Sequence, residues 1–309
     1  MAGPWTAREV PDQRGRTAVI TGASGGLGYE TALVLAEKGA EVIFAVRSEA
    51  KGKDAIRRLK EQVPGARVRL IRLDLGDLSS VRSFAEACRR DYGTLDLLIN
   101  NAGVMVPPYR KTTDGFELQF GSNHLGHFAL TGLLLPQLLN TPKSRVVTLS
   151  SIAHIGASID FDNLDGSKGY NRIKFYGQSK LANLLFAKEL QRRLAASGAE
   201  TISIGCHPGV ANTNLFSRGS GKQAGVLSRL LWTLFSSQSA AMGALPTLYA
   251  ATAPGLKGGE YIGPDGRGGR KGYPQLARTD SRAEDEQTAK RLWDVSESLT
   301  GVTYPLPTP

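Results

Sequence analysis

The chain has 309 residues, 41% of them hydrophobic and 21% charged, with 38 Lys and Arg against 28 Asp and Glu and a net charge of +10. That balance excludes a disordered or collagenous chain, and a chain of this length buries enough surface in one large α/β domain to need no disulfide staple. The basic excess raises nucleic acid as a partner, but no basic groove with interleaved aromatics is present, so none is expected.

Residues 1–15 are polar, punctuated by Pro and unlike a signal peptide, and read as an N-terminal extension to a single domain over 16–309. Short β-branched or aliphatic runs then alternate with longer segments of helical period. Thr17–Thr21, Glu41–Val46, Arg67–Leu73, Leu95–Asn100, Arg145–Ser150 and Thr201–Cys206 are predicted as buried parallel strands. Leu27–Lys38, Glu49–Gln62, Ser80–Arg90, Phe116–Leu135, Gly177–Ala196 and Ala283–Leu299 are predicted as helices. Right-handed crossovers place these helices on both faces of a doubly wound Rossmann sheet, with a last strand near Gly259–Gly266 making it seven-stranded and mostly parallel. The longest apolar run, Phe128–Leu139, is about half of a membrane span, so no transmembrane segment is expected. Cys88 and Cys206 show no metal or redox spacing, and His124, His127 and His154 no metal-ligand spacing. A reducing, cytoplasmic setting without metal follows.

After the first strand comes Thr21-Gly22-Ala23-Ser24-Gly25-Gly26-Leu27-Gly28. Gly22 suits a tight turn, Gly26 a close approach of backbone to a pyrophosphate, and Gly28 close packing of helix on strand. The helix N-terminus would add N–H donors and a positive dipole toward the phosphates. With the motifs that follow, this Thr-Gly-x-x-x-Gly-x-Gly spacing resembles the short-chain dehydrogenase/reductase family. It also fits the Gly-x-x-Gly-x-x-Gly of that family's epimerase/dehydratase branch.

The second strand ends in Arg47, where an acid would bind the ribose 2′-hydroxyl of NAD and a base the 2′-phosphate of NADP. Arg47–Lys60 holds six basic residues against two acidic ones, so NADP(H) is the expected cofactor; beyond Arg47 and Lys51 the run reads as a solvated helix face. The resemblance further implies that Asp74 and Leu75 meet the adenine and that Asn101-Ala102-Gly103, closing an Asn-Asn-Ala-Gly run, supports the adenosine.

Tyr176 and Lys180 form a Tyr-x-x-x-Lys pair, one turn apart on one helix face. The resemblance assigns Tyr176 the proton exchange with the substrate oxygen and Ser151 a hydrogen bond to that oxygen. To Lys180 it assigns the nicotinamide ribose and a lowering of the tyrosine pKa, and to Asn123 the anchoring of a proton relay through its helix backbone. Lowering a phenol by three units takes about 4 kcal/mol. Pro208-Gly209-Val210 and Thr213 match the family's wall around the nicotinamide, whereas His207 reads as structural.

Ser151 and Tyr176 are 25 positions apart, and the long loop between Ser-Ser-Ile-Ala-His and Tyr-Gly-Gln-Ser-Lys, with Asn-His-Leu-Gly-His-Phe, resembles the subgroup of retinol dehydrogenases, WW-domain oxidoreductases and protochlorophyllide reductases. That resemblance implies an oxidoreductase for hydrophobic carbonyl/alcohol pairs. The loops about 154–175 and 214–238 would flank the nicotinamide as a small lid, with His154, Ile155, Leu215, Phe216 and Trp232 as substrate contacts. The apolar stretch Val226–Phe235 reads as a lid, or else as a membrane or partner contact. Leu181, Leu184, Leu185 and Phe186 surround much of the Tyr-Lys helix and suggest a homodimer. An epimerase or dehydratase with the same Tyr and Lys, and a non-catalytic dinucleotide sensor, remain as alternatives.

Overall fold

A computed structural model describes residues 3–211 and 238–309. Among them, eight strands form one sheet in the order β3-β2-β1-β4-β5-β6-β7-β8. These are β1 (Thr17–Thr21), β2 (Glu41–Val46), β3 (Arg67–Arg72), β4 (Leu97–Asn100), β5 (Arg145–Leu149), β6 (Ile202–Cys206), β7 (Tyr261–Pro264) and β8 (Pro274–Leu276). The first seven run parallel. The eighth corrects the seven-stranded expectation: Ile262 pairs with Leu276 antiparallel, in a three-residue edge strand too short and polar to show a period.

The helices are α1 (Gly26–Glu37), α2 (Glu49–Gln62), α3 (Leu78–Asp91), α4 (Gly126–Leu139), α5 (Arg172–Ala196), α6 (Ala240–Thr252) and α7 (Glu286–Thr300). Side-chain caps from Ser48, Asp77, Asn171, Ser239 and Asp285 satisfy the first N–H groups of α2, α3, α5, α6 and α7. Because neighbouring strand residues point to opposite faces, β1 splits between two cores. Ala18 and Ile20 join the layer of α1 and α6, whereas Val19 joins that of α3, α4 and α7. Strand order reverses between β1 and β4, and the crevice at the strands' C-terminal ends opens there.

Two expectations change. The predicted helix Phe116–Leu135 is a short helical turn at Leu118–Phe120, a π-helical turn at Gly121–Leu125 and then α4; the stretch is so uniformly buried that its apolar pattern carries no phase. Helix α6, with Gly243 and Pro246 inside it, has no counterpart among the predicted elements. Residues 3–15 pack on the domain, Trp5 standing edge-on to Tyr249 at 5.1 Å and Val10 buried.

The apolar circumference of α5 is spent within the chain. Leu181, Leu184 and Leu185 pack with Ala289 and Leu292 of α7, and Phe186 packs with Phe128, Trp293 and Tyr304. The residues that suggested a homodimer are thus core residues.

Candidate active site

The glycine turn is shaped by positive φ angles at Gly22 and Gly26 and by a close approach at Gly28. Gly22 has φ +72° and sends its N–H to the Ala45 carbonyl at 2.8 Å, and Gly26 has φ +57°. A Cβ on Gly28 would stand 2.7 Å from the Gly22 carbonyl oxygen and 2.5 Å from Asn101 Nδ2, so only glycine fits. Asn101 Nδ2 donates to the Thr21 carbonyl at 2.7 Å, and Thr21 Oγ1 accepts the N–H groups of Asn101 and Ala102, both at 2.9 Å. The turn after β4 is therefore locked to the turn after β1.

Beside that turn lies an open cavity of about 600 Å³ lined by Ser24, Gly25, Gly26, Tyr29, Lys51 and Arg58, among others. The rim carries Lys51 and Arg58 together with Glu30 and Asp54, so the fit for a phosphate-bearing nucleotide lies in the side-chain-free backbone at Gly25 and Gly26 with Lys51 nearby. Arg47 is exposed at the end of β2. Of the charges that follow, Lys53 pairs with Glu49, Arg57 with Asp54 and Glu61, and Arg58 with Asp54, which is the behaviour of a solvated helix face. Asp74 is half-buried and accepts the Gly76 N–H at 3.0 Å, and Leu75 abuts the start of α4, where a Cβ on Gly126 would collide with its carbonyl.

Asn123 stands in the π turn. Its Oδ1 accepts the Val104 N–H at 2.8 Å, and its Nδ2 donates to the Val104 carbonyl and to Ser179 Oγ, both at 3.0 Å. Ser179 Oγ in turn donates to the Tyr176 carbonyl at 2.8 Å. The side chain is thereby fully used in joining the turn after β4 to α5. Gly103 packs between the two catalytic elements: a Cβ there would lie 3.2 Å from Asn123 Oδ1 and 3.7 Å from Lys180 Nζ.

Ser151 follows β5, its Oγ accepting the Ala153 N–H at 3.2 Å. Lys180 is 5% exposed; its ammonium donates to the Leu149 carbonyl at 3.2 Å and stands 5.8 Å from the centre of the Tyr176 ring. Burial pushes the Tyr176 phenol up to about 12, opposed by the Ser151 hydroxyl, and pulls the Lys180 ammonium down to about 8. The protein alone therefore holds Tyr176 above its ordinary value, where a lowered one was expected from Lys180. Desolvation sets the direction, and the Lys180 ammonium spends its hydrogen bond on the Leu149 carbonyl.

His154 does not line the cleft. It is 1% exposed, with Nδ1 bonded to the Ser151 carbonyl at 2.6 Å and Nε2 accepting the Asp280 N–H at 3.3 Å, so it braces the serine from behind. Ile155, by contrast, is 61% exposed. His207 is buried and accepts the Gly209 N–H at 3.2 Å. Pro208, Gly209 and Val210 form a turn with φ +68° at Gly209, held by Gln238 Nε2 on the Pro208 carbonyl and by the Gln238 N–H on the Val210 carbonyl. Thr213, Leu215, Phe216, Trp232 and the stretch Val226–Phe235 lie outside the described residues.

Sequence reasoning missed Ser179, Gln238 and a clamp beside the cleft. Val106 sits at φ +55°, a conformation disfavoured for a β-branched residue. Its N–H is held by Gln119 Oε1 at 2.9 Å, while Gln119 Nε2 donates to Tyr170 Oη at 3.0 Å and to the Arg172 carbonyl at 2.9 Å. Tyr170 and Arg172 fall in the predicted substrate loop, Val106 and Gln119 do not, and none of the four carries a motif.

Residues 16–223 match the family model of short chain dehydrogenases. The chain belongs to the short-chain dehydrogenase family. It is 44% identical over 294 residues to retinol dehydrogenase 12 of Mus musculus, covering 94% of this chain and 88% of that protein. To retinol dehydrogenase 13 of Homo sapiens it is 42% identical over 298 residues, covering 94% and 86%. The crystal structure of an uncharacterized protein from Mycobacterium Paratuberculosis is 44% identical, superposes with a TM-score of 0.82 and covers 98% of this chain and 100% of that one. The protein is an oxidoreductase of the retinol-dehydrogenase-like branch. No helix among the described residues is long and apolar enough to cross a membrane.

Proposed function

We propose that the protein is an NADP(H)-dependent oxidoreductase that acts chiefly as a reductase of hydrophobic ketones or aldehydes, retinoid-like carbonyls among them. The observation that carries this reading is the convergence of Ser151 after β5 with Tyr176 and the buried Lys180 on α5, where burial keeps the Tyr176 phenol protonated at neutral pH. Bound NADPH supplies the hydride. Ser151 hydrogen-bonds the substrate oxygen, Tyr176 gives it a proton as charge develops there, and Lys180 holds the ribose of the cofactor. Taking the proton in the reverse direction needs a phenolate near neutrality. Burial of the phenol opposes that phenolate.

Preference for the extra phosphate is supported by exposed Arg47, by Lys51 at the rim of the cavity and by the absence of a carboxylate at the end of β2. A cytoplasmic setting is supported by Cys88 and Cys206, both buried and unpaired. The test is a panel of carbonyls and alcohols followed at the NADPH absorbance, with Tyr176→Phe as control. Turnover of apolar carbonyls that vanishes in the variant supports the reading; no turnover across the panel, or undiminished turnover in the variant, overturns it.

A further inference from the structure

The sequence Asn123-His124-Leu125-Gly126-His127 carries two histidines whose roles the reaction does not absorb. Both are buried. His124 faces outward through Nε2 to Ser296 Oγ of α7 at 2.8 Å. His127 faces the sheet: its Nδ1 lies 2.9 Å from the Asn123 carbonyl oxygen, and its Nε2 lies 2.9 Å from Thr21 Oγ1.

Counting hydrogens fixes the protonation of His127. A carbonyl cannot donate, so Nδ1 carries the hydrogen. Thr21 Oγ1 already accepts two N–H groups, from Asn101 and Ala102, and so has no lone pair left for a second imidazole hydrogen. Its own hydrogen points at Nε2, the Ile99 carbonyl at 3.3 Å being the longer alternative. Only the neutral Nδ1–H tautomer closes the chain. Burial first and the nearby Lys180 ammonium after it pull the imidazole down to about 4, against the raising effect of its bond to the Asn123 carbonyl, which agrees with a neutral ring.

We propose that His127 is a positioning residue: as a neutral Nδ1–H imidazole it ties the Asn123 carbonyl to the Thr21 hydroxyl, so that the catalytic π turn and the nucleotide-binding turns after β1 and β4 are set by one hydrogen-bond chain. The inference rests on the dinucleotide reading of the glycine turn. It adds a direct link between the half of the site that binds cofactor and the half that moves the proton. Without that link the Asn123 carbonyl loses the imidazole donor and Thr21 its acceptor, and the π turn is tied to the turn after β4 only through the Asn123 side chain on Val104.

The experiment combines a double-mutant cycle with nuclear magnetic resonance. Thr21→Val and His127→Leu are made singly and together, and the dissociation constant for NADPH is measured by nucleotide fluorescence at a temperature where thermal melts show every variant folded. Each single variant is expected to weaken NADPH at least fivefold, and the pair no more than the worse single. His127→Gln, which keeps a donor, is expected to recover most of the loss. Multiplying effects in the cycle, or His127→Leu binding like the parent, would overturn the proposal. In the unsubstituted protein, imidazole ¹⁵N shifts should show Nδ1–H unchanged between pH 5.5 and 8; an Nε2–H tautomer or a titration in that range overturns it too. With a carbonyl substrate, His127→Leu should lower kcat at least tenfold at nearly constant KM. Absence of turnover in the parent is a failure of the functional reading alone, because the binding cycle and the tautomer still decide the role of His127.

Discussion

The ammonium of Lys180 is hydrogen-bonded to the Leu149 carbonyl and stands 5.8 Å from the centre of the Tyr176 ring. Backbone of β5 thus aims the lysine, and the tyrosine reaches the cleft as a phenol. The two groups are perturbed in opposite directions by the same cause: burial disfavours a phenolate and an ammonium alike.

A depressed lysine gives a pH dependence with a definite sign. The ammonium is present below about 8 and is lost above it. Affinity for NADPH, followed by fluorescence between pH 6.5 and 9.5, should be greatest below about 8 and fall on the alkaline side. Lys180→Met should bind more weakly and show no such fall; an unchanged alkaline limb in that variant would assign the titration elsewhere.

Replacing Tyr176 by Phe removes the proton donor and leaves the ring. Turnover should drop by about 10² to 10⁴, while the dissociation constant for NADPH stays within about twofold, since the hydroxyl serves the substrate oxygen.

Arg47→Ala tests the choice of nucleotide. One charge-assisted contact to a phosphate is worth about 1.5–3 kcal/mol, so the preference for NADPH over NADH should shrink by about 10- to 100-fold with little change in NADH binding. An unchanged ratio would move the specificity to another residue, Lys51 first.

Gly28→Ala places a methyl group against the Gly22 carbonyl and Asn101 Nδ2, both backed by the strand turns. Overpacking of this kind costs about 1–3 kcal/mol, and the displaced turns are those that face the nucleotide. Loss of NADPH binding should exceed the loss of thermal stability, which parallel melting and binding measurements will separate.

Tyr304 packs on Phe128, Phe186 and Trp293 and donates its hydroxyl to the Phe128 carbonyl at 2.6 Å. Tyr304→Ala should cost about 3–5 kcal/mol of unfolding free energy and Tyr304→Phe about 1, measurable by urea titration.

The parts of this molecule that were legible in the sequence are those where one residue type is chemically forced. Gly22 and Gly28 stand where no side chain fits, Tyr176 and Lys180 stand one turn apart, and β1 and β2 end where their apolar runs end. The parts that were not legible depend on burial from every side or on long-range pairing. The π turn around Asn123 hides in a stretch with no polar face, and β8 exists because it pairs with β7. His154 lies in a loop that the sequence assigns to the substrate; only the fold shows that Asp280, 126 positions away, meets it from behind.

The packing of α7 against α5 has a temporal side. Every strand from β1 to β6 and the whole of the catalytic helix precede Glu286 in the chain, yet Leu185 and Phe186 take part of their cover from residues 286–304. During synthesis the helix bearing Tyr176 and Lys180 emerges with that side bare, and it is closed only when the C-terminus has left the ribosome. A chain stopped short of its last two dozen residues would carry the whole set of reactive groups on a sticky, half-dressed helix, an object for chaperones before it is an enzyme.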